Sequence, residues 1–224
     1  VEFDSSRDFG DLWALQALWD QIGFDELRRV FRNRRRSFET EQLLRVMVFN
    51  RLCDPRSKLG VLQWLQTVSF PKVTMQDISH TQLLRAMDDW VELETKAGDV
   101  IARLMRPLID TALSVVFYDL TTIRIHGEAR LENDIRAHGI NKETGGIARQ
   151  FVLGVVQSAE GLPLMHTVHP GNVSETKTLQ SMLTQVLQRF PVERVILVAD
   201  RGLLSLDNIS ELTELAEVKE RKLQ

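Results

Sequence analysis

The chain changes its rhythm once, near residue 111, and that change limits the folds open to it more than any other feature. Up to that point, from residue 11, apolar side chains recur at spacings of three and four without strand-like alternation. Leu12, Leu15, Leu18 and Trp19 form one stripe, and Leu43, Leu44, Met47 and Val48 the next. Others run through Val61, Leu62, Trp64 and Leu65, through Leu83, Leu84 and Met87, and through Val100, Ile101, Leu104 and Met105. Gly23, Asp54-Pro55, Pro71 and Pro107 interrupt them, because a proline cannot continue a helix interior. The pattern predicts an all-helical domain over residues 1–110, built from about five short helices.

From Ser114 the pattern becomes one of strands and long helices. Two short apolar runs, Ser114 to Asp119 and Val195 to Asp200, each end in an aspartate. Between them, Phe151–Gln157 and Leu162–Val168 flank Ala159-Glu160-Gly161, a hairpin signal. A helix follows with Leu179, Met182, Leu183, Val186, Leu187 and Phe190 on one face, Ser174 as its N-cap and Pro191 as its stop. After the strand to Asp200, a second helix runs from about Leu206 with Ile209, Leu212, Leu215 and Val218 inward. Strand, strand, strand, helix, strand, helix is the opening of a ribonuclease-H-like domain. The expected class is α/β: a helical N-terminal domain, then an incomplete ribonuclease-H-like domain over 111–224 with a mixed sheet and helices. In that fold the first and fourth strands lie side by side and parallel at the sheet centre.

On such a sheet Asp119 and Asp200 face each other from the strand tips, as catalytic residues and metal ligands together. Paired carboxylates repel, and either a proton or a divalent cation relieves the repulsion. Magnesium, with manganese as its substitute, suits an all-oxygen site completed by water and substrate phosphates, so the substrate would be a phosphodiester. Thr121 and Thr122 after the first aspartate, and Arg201-Gly202 after the second, add polar and flexible backbone at both tips.

Charge gives no general attraction to nucleic acid, since 28 basic and 31 acidic residues leave a net −3. A local patch does: Arg28, Arg29, Arg32, Arg34, Arg35 and Arg36 fall in nine residues without an acid, a composition suited to the phosphates of double-stranded DNA. Arg51, Arg56 and Lys58 form a second, smaller group. Of the five histidines, at 80, 126, 138, 166 and 169, only His166 and His169 are close in sequence, and on a strand they point to opposite faces. No glycine-rich phosphate loop, nucleophile elbow or zinc-finger spacing is present, so nucleotide cofactors are not implied. The single Cys53 reads as a buried structural thiol, and the sequence shows neither a membrane span nor a signal-peptide layout. A reduced cytoplasmic setting is expected, with no membrane partner.

Tyr118-Asp119-Leu120-Thr121-Thr122 and Val198-Ala199-Asp200-Arg201-Gly202 resemble the first two motifs of the carboxylate-triad (DDE) transposases of bacterial insertion sequences. Similar too are Gly139-Ile-Asn-Lys142 with Arg149-Gln150-Phe-Val-Leu-Gly154, the segment Gly161-Leu-Pro-Leu164, Pro170-Gly-Asn-Val-Ser-Glu-Thr176, and Asn50-Arg-Leu-Cys-Asp-Pro-Arg-Ser-Lys58. The resemblance implies a nucleoid-associated protein that binds terminal repeats, cuts DNA with a metal and joins the freed end to target DNA. The family completes its site with a Glu in a Tyr-x2-Arg-x3-Glu-x6-Lys block, whereas Tyr118 is the one tyrosine here. Glu211, Glu214, Glu217 and Glu220 read as the solvated face of the last helix. The expectation is therefore an N-terminal portion of a transposase, inactive by itself. A non-catalytic DNA-binding fragment that represses transposition is the alternative, and a junction-resolvase-like metal nuclease a third reading. A homodimer is also expected, and the helical half could serve as its interface instead of binding DNA.

Overall fold

The helical spacing of the first hundred residues becomes α1 (Gly10–Ile22), α2 (Leu27–Phe31), α3 (Thr40–Cys53), α4 (Lys58–Thr67) and α5 (His80–Met105). The structure, a computed structural model, describes residues 6–32, 38–73, 78–108, 114–127, 134–140, 145–174, 176–190, 194–198 and 222–223. By contacts the chain divides into two units, Val1–Leu104 and Met105–Gln224.

Local chemistry explains the helix ends. Gly23 closes α1 in the left-handed region, φ 87°, donating its N–H to the Trp19 and Asp20 carbonyls. Asn50, buried near the end of α3, donates to the Asp54 carbonyl and accepts from the Arg56 N–H. That side chain moulds the turn at Asp54-Pro55, and Ser57 then caps α4 by accepting from Gly60 N–H at 3.2 Å. One expectation fails in length. The stripes at Leu83 and Val100 belong to a single helix of 26 residues, α5. Ala86, Ala97 and Ala102 fill its inner face, and their high helix propensity carries it past Gly98.

The first unit is centred on Leu12, Val46, Phe49, Val61 and Leu83, all at most 2% exposed. Phe49 stacks on Phe70 at 5.2 Å and meets Trp19 edge-on at 5.7 Å. A polar chain is buried in the same core. Arg45 donates to Gln16 Oε1 at 2.8 Å and lies 6.0 Å over the Trp19 ring. Its Nε stands 3.4 Å from Glu41 Oε1, an ion pair without hydrogen-bond alignment. Burial holds the Arg45 guanidinium below its usual value, with Glu41 working against it. Thr40 donates to the buried Asp89 carboxylate at 2.8 Å. Cys53 is half-buried, and burial pushes its thiol up, which suits a structural role. No helix among the described residues is long and apolar enough to cross a membrane.

The second unit is a mixed sheet of β1 (Ser114–Arg124), β2 (Ala137–Ile140), β3 (Ile147–Ser158), β4 (Pro163–Pro170), β5 (Arg194–Val198) and β6 (Lys222–Leu223), with α6 (Thr176–Arg189) packed against β4. The order is β2-β3-β1-β5-β6, with β4 on the same edge of β3 as β2. β1 runs antiparallel to β3 and parallel to β5, so the expected first and fourth strands are parallel neighbours in the middle of the sheet. The hairpin at Gly161 is the β3–β4 turn. Leu179, Met182, Leu183 and Val186 of α6, with Phe190 just past its end, are at most 1% exposed, the predicted apolar face.

β2 and β6 were not expected, and the helix expected from Leu206 lies outside the described residues. β1 also differs from its predicted extent: it continues through Thr121, Thr122 and Ile123, which pair with Leu153, Val152 and Phe151. β-branched residues sustain a strand, so Asp119 sits inside β1 and not at its tip.

Candidate active site

Strand alternation sends Tyr118 and Asp119 to opposite faces of the sheet, Tyr118 2% exposed and Asp119 open to solvent. On the covered face the Tyr118 ring lies over Gly154. A Cβ there would come within 2.7 Å of the ring and 2.5 Å of Thr167 Oγ1. The Tyr118 hydroxyl stands 3.4 Å from Thr167 Oγ1, and that oxygen is 2.9 Å from His169 Nε2. Burial holds the His169 imidazole below its ordinary value. This buried row fixes which way Asp119 faces.

On the open face Asp119 is level with Val155 of β3, which is level with His166 of β4. Thr121, two residues on from Asp119, is exposed on the same face. His166 and His169 take opposite faces, as their spacing required. Asp200 lies outside the described residues, as do Ala199, Arg201, Gly202 and the four glutamates of the expected last helix. Described β5 ends at Val198, opposite Phe117. Among the described residues no three potential ligands gather as a metal-holding group.

The arginine patch is divided. Arg28 donates to the buried Glu41 carboxylate at 2.9 Å, so this arginine is neutralised locally by an acid beyond the patch, which the sequence reading did not anticipate. Arg29 and Arg32 are exposed, and Arg34, Arg35 and Arg36 lie outside the described residues. In the smaller group, Arg56 pairs with Asp54 at 2.8 Å.

Three of the resemblance blocks meet at one corner of the sheet. Arg149 donates to Asp134 at 2.6 Å, to the Gly127 carbonyl at 3.0 Å and to the Arg136 carbonyl at 3.3 Å. Gln150, buried beside it, donates to the Gly171 carbonyl at 3.0 Å and the Ile140 carbonyl at 3.3 Å. A Cβ on Gly139 would collide with the Gly171 carbonyl, and one on Gly171 with the Gln150 carbonyl. Gln150 takes the covered face with Tyr118, whereas Arg149, six residues along β3 from Val155, takes the face that carries Asp119. Gly154 is the supporting residue that sequence reasoning missed, although an isolated glycine within a strand is a known sign of close approach.

The family model of the transposase DDE domain matches residues 110–218. These residues belong to the DDE transposase family. Among solved structures, the Mos1 transposase paired-end complex with left transposon end is similar over 85% of this chain at 10% identity and a TM-score of 0.30. The chain spans 59% of the length of that relative. None of the curated proteins compared matches the chain. Within the matched residues, Asp119 is an exposed carboxylate on a central strand.

Proposed function

We propose that this DDE domain acts on DNA phosphodiesters, cutting and rejoining strands in transposition, with Asp119 and Asp200 holding a divalent cation, magnesium or manganese. The β1–β5 ladder carries the reading. Ser114 faces Val195 and Phe117 faces Val198, and the same sequence separation relates the two aspartates, each two residues beyond the last described pair. Asp119 fits a hard cation, being an oxygen donor with a rigid base and a solvent-open face that leaves room for waters and phosphate oxygens. When bound, such a cation neutralises phosphate charge and acidifies a coordinated water.

The chain's own groups supply position. The buried Tyr118 row holds the carboxylate outward, Thr121 offers a hydroxyl to a phosphate oxygen, and Arg29 and Arg32, with Arg34, Arg35 and Arg36, offer guanidiniums to the DNA backbone. Double-stranded transposon-end and target DNA are the proposed partners, in a bacterial cytoplasm at the nucleoid. A second reading is a DNA-binding regulator without catalysis.

Manganese titration of the chain, followed by electron paramagnetic resonance, tests the metal site. Asp119→Asn and Asp200→Asn should each weaken binding by about tenfold or more while circular dichroism is unchanged. Unaltered affinity in both variants would end the site assignment. Magnesium-dependent nicking of end-sequence duplexes then separates the catalytic reading from the regulatory one.

A further inference from the structure

We propose that His166, turned by a β-bulge in β4 onto the face that carries Asp119, holds a phosphate of the DNA strand lying there. This rests on the reading of Asp119 as a metal-holding carboxylate beside a DNA phosphodiester. The ladder between β3 and β4 changes register between Val156 and Gln157. Gln157 pairs with Pro163, and an unbroken antiparallel ladder from that pair would set His166 level with Gly154, on the covered face with Tyr118. Instead Val156 pairs with Met165 and Val155 with His166. One extra residue in β4 thus sends His166 to the other face, as bulges beside active sites re-aim side chains. Burial records the break: the consecutive Leu164 and Met165 are 9% and 8% exposed, whereas His166 is exposed and Thr167 buried. His169 keeps to the covered face, against Thr167 at 2.9 Å, so the two histidines do different work.

Asp119, Val155 and His166 form one cross-strand row on the open face. Two strand spacings separate its ends, about 10 Å, close to the axial rise of about three phosphates on one DNA strand. Val155 between them is apolar, and past the bulge β4 brings Val168 and Pro170 to this face besides His166. Arg149, the cation that β3 brings to it, is tied to Asp134 at 2.6 Å. A neutral imidazole donates one N–H and an imidazolium two, so the ring serves a phosphate oxygen in either state. A contact at that distance fixes the direction in which the strand leaves Asp119.

Fluorescence anisotropy of a labelled DNA duplex titrated with the full chain, manganese present, tests this. His166→Leu should weaken binding by about tenfold, and His166→Gln, which keeps an N–H donor, by about threefold or less. Circular dichroism and manganese affinity should be unchanged in both, since the ring touches phosphate and not the cation. Equal affinity in the native chain and His166→Leu overturns the inference, as do equal losses in the two variants. In either case manganese binding that still depends on Asp119 leaves the metal reading standing. A chain that binds no duplex overturns the inference and the DNA reading together.

Discussion

Tyr118 and Gly154 form the close contact that aims the site: the phenol ring occupies the space a side chain on residue 154 would need, and Asp119 is thereby turned to the open face of the sheet. The ring sits between β3 and the Thr167–His169 pair of β4, so three strands share its position.

Gly154→Ala should cost about 2–3 kcal/mol, because overpacking forces the ring or Thr167 aside. Urea denaturation measures this. Tyr118→Phe should cost about 1 kcal/mol or less, since the 3.4 Å contact to Thr167 is long for a hydroxyl hydrogen bond. Equal losses in the two variants would show that the hydroxyl and not the ring sets the position.

Arg28 and Arg32 should part company in a DNA titration. Arg32→Ala, at an exposed site, should lower the slope of log affinity against log salt by about 1 and leave stability unchanged. Arg28→Ala removes a partner of the buried Glu41, so its main effect should be a lower denaturation midpoint. A salt slope insensitive to Arg32 would take it out of the interface.

Glu41→Ala leaves Arg45 buried, 1% exposed, without its countercharge, and should cost about 3–5 kcal/mol. Pairing Glu41→Leu with Arg45→Met should recover most of that loss, since a well-packed apolar pair replaces two desolvated charges. Calorimetric melting of the two variants side by side decides between them.

His169 gives a pH dependence of definite sign. Burial lowers its folded value below the ordinary 6.5, so the unfolded chain binds the proton more readily. Its share of stability is full above about 6.5 and is lost as pH falls from there toward the folded value. Denaturation midpoints measured on the native chain and on His169→Gln should differ in slope inside that window and run parallel outside it; parallel slopes inside it would refute the assignment.

The sequence made the helical first half, the β3–β4 hairpin, the apolar face of α6 and the parallel neighbourhood of β1 and β5 legible, because each carries an unbroken period. β2 was not legible: Ala137-His-Gly-Ile has four residues, a glycine and no alternation long enough to register. The length of β1 was hidden because Thr121 and Thr122 read as a polar tip when they are β-branched strand residues paired to β3. α5 looked like two helices because between Leu83 and Ile101 its fully buried positions are Ala86, Asp89 and Ala97, which leave no strong apolar signal. At the candidate site, the place of Asp119 on a central strand was readable from the apolar run before it. The tie between Arg28 and Glu41 was not, since it joins residues on different helices.

β3 is bonded along one edge to β2 and β4 and along the other to β1. Displacing it by a single residue would invert every side chain on the strand, bringing Leu153 or Val155 beneath the phenol where only hydrogen now fits. The covered face thus selects the native register against a one-residue slip, which would set a side chain of β3 against that aromatic ring.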